Sequence, residues 1–243
     1  MSTGRLGVVP LLLPPRRVER LLREVAGMPV VDRAVRALAV PGVVDRVLVL
    51  VGEDAAPRAK AVCRSGPGVS VDLLVADRFD DAVVRLPECL GAPAPGSGPE
   101  RRAAGQAADP IMLLLDPAQL VTPVALLTAV AAVASAPGGG VVLPVRPVTD
   151  TLKQVDAEGI VLSTVPREAH LEVLTPLALP LRLLRAAAPG LVAWDLPELL
   201  RRLLTAGTPV RTVPAGADVL LAEGEDGLDV TLAALGAEAA DLG

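Results

Sequence analysis

Short, fully apolar runs alternate with stretches of helical periodicity along most of this chain. Leu6 to Leu13, LGVVPLLL, reads as a first strand buried on both faces, and Pro14-Pro15-Arg16-Arg17 ends it. Val18 to Val25 then reads as a short helix, with Met28-Pro29-Val30 opening the next segment. From Val30 to Ala39, the apolar positions Val31, Ala34, Val35 and Leu38 fall at helical spacing, with Asp32, Arg33 and Arg36 opposite them. Val43 to Val51 supplies a second core strand. Strand, helix and strand in this order predict a βαβ opening and therefore a parallel sheet.

The alternation continues. Ala55 to Cys63 predicts a helix, Val69 to Val75 a third strand, and Asp80 to Leu90 a further helix. Residues 91–109, GAPAPGSGPERRAAGQAAD, lack apolar periodicity and read as a mobile surface loop, an insertion rather than a linker. Ile111 to Leu115 is a fourth buried strand that runs directly into Asp116, and Pro123 to Ser135 is a helix closed by Pro137-Gly138-Gly139-Gly140. Helices over Leu179 to Ala188 and Leu196 to Thr205, a short strand over Val210 to Val213, and a closing helix over Asp226 to Ala240 complete the order.

Gly140 to Leu174 breaks this rhythm. Val141 to Leu143 form a strand-like run that Pro144 and Pro147 stop. Thr151 to Val155 and Ile160 to Val165 then flank Asp156-Ala157-Glu158-Gly159, which predicts a β-hairpin around a Gly-bearing turn.

Composition narrows the chemistry. Half of the 243 residues are apolar, enough for a sizeable core, but Phe79 and Trp194 are the only aromatics, so that core must be built from Val, Leu and Ala. A net charge of -5 with scattered Lys and Arg gives no basic stripe, and nucleic acid is not an expected partner. Cys63 and Cys89 are isolated and fit a reducing compartment. His170 is the only histidine, which leaves little material for zinc sites or His-dependent triads. No run approaches the roughly 20 apolar residues of a membrane span, and the first residues lack a signal-peptide layout. The expectation is a soluble, cytoplasmic protein without a membrane partner.

Pro147, Val148, Asp150, Thr151, Leu152 and Lys153 lead into the hairpin, and Val165 and Arg167 close it. This pattern resembles the arm of the 2-C-methyl-D-erythritol 4-phosphate cytidylyltransferases, where a P-V-x-D-T-[LM]-K run enters a hairpin closed by V-[DP]-R. The resemblance implies an α/β, Rossmann-like nucleotidyltransferase (GT-A-like) domain over 1–243, with a mostly parallel sheet and a protruding arm at 148–168. It also implies a homodimer formed through that arm.

Elsewhere the chain departs from the family pattern. Val8-Val9-Pro10 matches the family's first strand, but Leu11-Leu12-Leu13-Pro14-Pro15 stands where an Ala-Ala-Gly-x-Gly loop would cradle a triphosphate. Proline removes backbone donors that such a loop needs. Arg16 and Arg17 lie near the family arginine, and no lysine follows until Lys60. In the base-reading segment Phe79 takes an arginine's place, with Arg78 beside it. Asp116 keeps the place of the aspartate that helps hold Mg²⁺ on the phosphates, while Gln119 replaces an arginine and Leu220 a lysine. Thr175-Pro176 retains two letters of T-P-Q, and Trp194-Asp195-Leu196-Pro197 replaces T-D-E-A.

By resemblance, the catalytic candidates are Arg16, Thr151 and Arg167. The nucleotide-binding candidates are Pro10, Arg17 and Asp116, and Asp116 is also the candidate metal ligand. Each has a plainer reading: Asp116 as a strand-end carboxylate, Arg16 and Arg17 as a solvated pair, Thr151 and Arg167 as hairpin closers, and Trp194 as a core or interface anchor. Each charge-assisted phosphate bond is worth about 1.5–3 kcal/mol, so the missing lysines, arginine and glycines should cost several orders of magnitude in turnover. The expectation is therefore an inactive or weak relative of the cytidylyltransferases, acting as a dimeric binding or regulatory protein. It would bind a nucleotide, a sugar phosphate or an active paralogue. The alternative is an active enzyme that uses Mg²⁺ and converts CTP and methylerythritol phosphate to CDP-methylerythritol and pyrophosphate. A cavity beside Asp116 would be open under one reading, and filled by Leu11, Leu12 and Leu220 under the other.

Overall fold

The computed structural model describes residues 4–25, 27–63, 68–89 and 109–221. The helix expected over Asp226 to Ala240, and all but Asp109 of the expected 91–109 loop, lie outside the described residues.

The first strand, β1 (Arg5–Pro10), stops three residues short of the apolar run that predicts it. Leu11 to Pro14 form a loop, and α1 (Pro15–Leu21) begins at Pro15, a residue whose fixed φ and missing N–H suit the first helical position. The helix expected over Val18 to Val25 is thus displaced toward the N-terminus. Its tail instead forms β2 (Glu24–Val25), which pairs antiparallel with β3 (Met28–Pro29). The amphipathic α2 (Val30–Leu38) follows as expected, except that Asp32, expected on the polar side, is buried and accepts from Arg36 Nε at 2.7 Å.

β4 (Arg46–Val51) also starts late, because Gly42, at φ 83°, and a Val43 N–H bond to Val40 O at 3.0 Å turn the chain before it. Then come α3 (Ala56–Val62), β5 (Ser70–Val75), α4 (Phe79–Cys89), β6 (Ile111–Leu114), β7 (Gln119–Val121) and α5 (Val124–Ser135).

β8 (Val141–Pro147) runs straight through Pro144 rather than stopping there. Its antiparallel partner changes at that point, from β12 (Leu177–Pro180) at Val142 to β11 (Leu171–Val173) beginning at Val145, so the missing donor falls where one ladder ends and the next begins. The Pro144 carbonyl still accepts from Leu174 N at 2.9 Å.

The hairpin forms as the sequence predicts, from β9 (Leu152–Val155) and β10 (Val161–Val165). Gly159 sits at φ 83°, and the Asp156 carboxylate accepts from the backbone of Glu158 and Ile160 at 3.1 and 2.7 Å. β11 (Leu171–Val173) and β12 (Leu177–Pro180) follow, then α6 (Leu181–Ala187), α7 (Leu196–Thr205), β13 (Val210–Pro214) and β14 (Leu220–Leu221). The helix expected over Leu179 to Ala188 therefore begins two residues late, because Leu179 and Pro180 belong to a strand. An unbroken apolar run of this kind carries no period that separates the two.

The main sheet has eight strands in the order β11-β8-β12-β6-β1-β4-β5, with β13 paired to β8. β6, β1, β4 and β5 are mutually parallel, as are β8 and β13, while β12 and β11 enter antiparallel. Alternate residues of β1 serve opposite faces. Val9 packs with α2 and α5, while Leu6 and Val8 pack with α4, α6 and α7. Gly7 lets α2 approach β1, since a Cβ there would lie 3.2 Å from Val47 Cγ2 and 3.4 Å from Leu38 Cβ.

Candidate functional site

In an open α/β sheet, the crevice beyond the carboxyl ends of the strands is where loops can converge on a ligand. Here the loops after β1, β4, β5 and β6 meet the segment 189–195 that joins α6 to α7. Asp116 follows β6 by two residues because the buried run stops there. Its Oδ1 accepts from Ala118 N at 2.8 Å and lies 3.8 Å from Arg17 Nη2; its Oδ2 accepts from the indole Nε1–H of Trp194 at 2.9 Å. The carboxylate is 16% exposed, so it remains reachable from the crevice.

Two cavities of about 690 Å³ each open around this centre. The one beside Asp116 is open, lined by Leu13, Pro14, Arg17, Trp194, Glu198 and Arg202 among others, and not by Leu11, Leu12 or Leu220. Leu11 and Leu12 line the second cavity, together with Val18, Leu22, Arg58 and the carboxylates of Glu19, Glu53, Asp54 and Asp77. Leu220 sits instead in the small β14–β7 ladder, opposite Val121.

The loop after β1 has few donors to offer. Pro14 and Pro15 have none, Leu13 N–H is spent on Leu11 O at 3.1 Å, and Arg17 N–H on Pro14 O at 2.9 Å. Arg202 is also occupied, donating to Glu198 at 2.7 Å and to the carbonyls of Ala187 and Pro189. The Arg201 and Arg202 guanidiniums on Glu198 hold that carboxyl down at about 2.

The 189–195 segment is pinned at several points. Phe79 N and Asp80 N donate to the carbonyls of Val192 and Leu191 at 2.8 and 3.0 Å, and Trp194 N donates to Leu12 O at 2.8 Å. The Asp80 carboxylate takes both Arg78, at 2.9 and 3.0 Å, and Gly190 N, at 2.8 Å. The Arg78 guanidinium, with help from the Gly190 N–H, holds its carboxyl at about 2. Phe79 is wholly buried and stands 5.6 Å from the Trp194 ring. Neither residue of the Arg78-Phe79 pair is thus a free cation.

Of the residues singled out in the sequence, the structure brings Arg17 and Asp116 together. Pro10 closes β1 inside the sheet, and Arg16 is exposed; neither lines these two cavities. Thr151 and Arg167 are exposed on the arm, where Arg167 donates to Thr149 O, and they too lie outside both linings. Among the described residues no group of three His, Cys, Asp or Glu side chains could hold a metal ion.

Sequence reasoning missed the Trp194–Asp116 bond and the role of Gln119, and the replaced family letters at both positions were the available signal. Gln119, buried at 1% exposure, is not an open gap left by a lost arginine but a strut: it bonds Thr175 and Thr122. Trp194 is more than an anchor, since its N–H engages the candidate metal ligand.

A family model described as 2-C-methyl-D-erythritol 4-phosphate cytidylyltransferase matches residues 102–225. Proteins of that name from Nocardia farcinica and Saccharopolyspora erythraea are 36% and 34% identical to this chain, over 78% and 81% of it and 74% and 82% of their own lengths. Among solved structures, a 4-diphosphocytidyl-2C-methyl-D-erythritol synthase superposes with a TM-score of 0.70 at 18% identity, covering 97% of this chain and 99% of its own. The cytidylyltransferase of Thermus thermophilus gives 0.65 at 24% identity with the same coverage. At these identities the two structures speak for the fold. The family model leaves out the first hundred residues, where the departures in the β1 loop and the base-reading segment fall.

Proposed function

Because the chain belongs to the 2-C-methyl-D-erythritol 4-phosphate cytidylyltransferase family, we propose that it catalyses the reaction for which those relatives are named, at a turnover lowered by its apolar loop. In that reaction a phosphate oxygen of methylerythritol phosphate attacks the α-phosphorus of CTP. The bond from that phosphorus to its bridging oxygen breaks, and pyrophosphate leaves with the electron pair. The observation that carries the reading is the Asp116–Arg17 pair on the wall of an open cavity of about 690 Å³, in a chain whose relatives bear this activity in their names.

Magnesium enters as part of the substrate, carried on the triphosphate. Mg²⁺ is usually held by one or two carboxylates plus phosphate oxygens rather than by a protein cage, and Asp116 fits that role. Each of its oxygens accepts one N–H bond in the protein and keeps a lone pair. Arg17, beside Asp116 on the cavity wall, supplies positive charge for the phosphates, the exposed Arg16 adds charge from outside the lining, and Pro10 ends the strand that leads into the loop. Thr151 and Arg167, carried on the arm, reach the methylerythritol phosphate at the site of a second copy. The exposed Val155, Ile160, Val161 and Leu162 give that arm an apolar surface to bury in a homodimer. The cytoplasm is the compartment this reading assigns.

A second reading, in which the chain binds ligand or an active paralogue without chemistry, is favoured by the spent N–H groups of the β1 loop and by the acidic second cavity. Pyrophosphate release from CTP, methylerythritol phosphate and Mg²⁺ decides between them. Slow release that disappears in Asp116→Asn supports the enzyme. Micromolar to millimolar binding of CTP without release supports the second reading; neither binding nor release sinks the enzyme and leaves the second reading only its paralogue form, which co-purification of a second chain of the same family would test.

A further inference from the structure

Trp194 is the chain's single tryptophan, and it joins the two walls of the cavity beside Asp116. Its backbone N–H holds Leu12 O of the β1 loop at 2.8 Å, and its ring packs at 5.6 Å from Phe79 of α4. Its indole N–H donates to Asp116 Oδ2 at 2.9 Å, and the residue is only 5% exposed. Trp has a large apolar body and one donor, so a buried indole that finds a partner fixes both its ring and that partner. The partner here is one specific oxygen of a carboxylate. The other oxygen is left toward Arg17, with the Ala118 N–H on its flank.

We propose that Trp194 is the positioning residue for Asp116, locking Oδ2 so that Oδ1, beside Arg17, is the oxygen presented to a cation-bearing phosphate group in the cavity. This rests on the reaction reading above, in that the phosphate group belongs to the nucleotide. A carboxylate that meets a metal on one oxygen is commonly held by a hydrogen bond on its other side, and losing such a bond costs about ten- to a hundredfold in affinity or activity. Without the indole donor Asp116 keeps only the bond from Ala118 N at 2.8 Å and the nearby Arg17, both on Oδ1, so the Oδ2 side of the carboxylate is no longer fixed and its tilt toward the cavity is less well defined.

The test uses the full chain and Mg·CTP as the probe. The single indole N–H resonance reports on this bond without any substitution: it should move when Mg·CTP is added to the wild-type protein and should not move with NaCl at matched ionic strength. Calorimetry of Trp194→Phe, which keeps an aromatic ring against Phe79, should show Mg·CTP binding weakened about ten- to a hundredfold, measured at a temperature where the variant, with its lower but still two-state melting, is fully folded. Should that variant fail to fold, the wild-type titration decides alone, because an indole N–H that stays in place while Mg·CTP binds leaves Trp194 no positioning role. Wild-type binding that leaves the indole resonance in place, or that Trp194→Phe matches, overturns the positioning role and leaves the reaction reading intact. Absence of any Mg·CTP binding by the wild-type protein overturns both.

Discussion

Gln119 and Thr175 hold each other by three hydrogen bonds. Gln119 Oε1 accepts from Thr175 N at 3.0 Å and from Thr175 Oγ1 at 2.8 Å, and Gln119 Nε2 donates to Thr175 O at 2.7 Å. The same Thr175 hydroxyl accepts from Asp116 N at 3.1 Å, so this exchange fixes the backbone that carries the candidate metal ligand. Replacing Gln119 by Leu keeps the side-chain volume but strands the backbone groups of Thr175 in a buried setting. The expected cost is about 2–4 kcal/mol, read as a lower urea midpoint at unchanged slope, with pyrophosphate release reduced further than the loss of folded protein explains.

Asp80 ties α4 to the cavity wall and makes that tie sensitive to acid. Its carboxyl is held at about 2, against an ordinary 3.8, chiefly by the Arg78 hydrogen bond. A carboxyl lowered in the folded state adds stability that is complete above its unfolded value and is lost as pH falls through the folded one. Stability measured by urea unfolding should therefore decline between about pH 4 and pH 2 in the wild-type protein, with Glu198 contributing over the same range because Arg201 and Arg202 lower it likewise. In Asp80→Asn the decline should be shallower, and amide exchange at Gly190 faster. A wild-type decline preserved in full would remove Asp80 from this account.

The arm offers a test of assembly. Val155, Ile160, Val161 and Leu162 are all more than half exposed, and none of these positions carries a charge. Ile160→Asp together with Leu162→Lys should leave the circular dichroism and melting temperature within error of wild type. Sedimentation should nevertheless shift from a dimer to a species of half the mass. A wild-type protein that sediments as a monomer would end the dimer proposal.

Gly7 probes the fold beneath the site. A methyl group there would press on Val47 and Leu38 at 3.2 and 3.4 Å, across the β1–α2 contact. Gly7→Ala should destabilise by about 1–3 kcal/mol, measured as the shift in urea midpoint, while Gly52→Ala, with open space around its Cβ, should change stability far less.

Several parts of this molecule could be read from residue order alone. The β-branched and leucine runs that became β1, β4 and β6 are buried on both faces, and such strands need no neighbour to announce themselves. The hairpin was legible because its turn demands Asp and Gly at fixed positions, and Asp156 and Gly159 meet that demand locally. β12 was not legible: Leu177 to Pro180 is apolar throughout, and only its place between β6 and β8 makes it a strand. β7 and β14 are short and define each other across a hundred residues.

The candidate site divides along the same line. Asp116 and Arg17 can be named through the family resemblance; residue order alone makes one a strand-end carboxylate and the other part of a solvated pair. That Trp194, 78 residues beyond Asp116, donates to its carboxylate, and that Gln119 is a buried strut, were settled by packing. A hydrogen bond between distant residues leaves no period in the sequence; it exists only once the sheet has brought their loops to one edge.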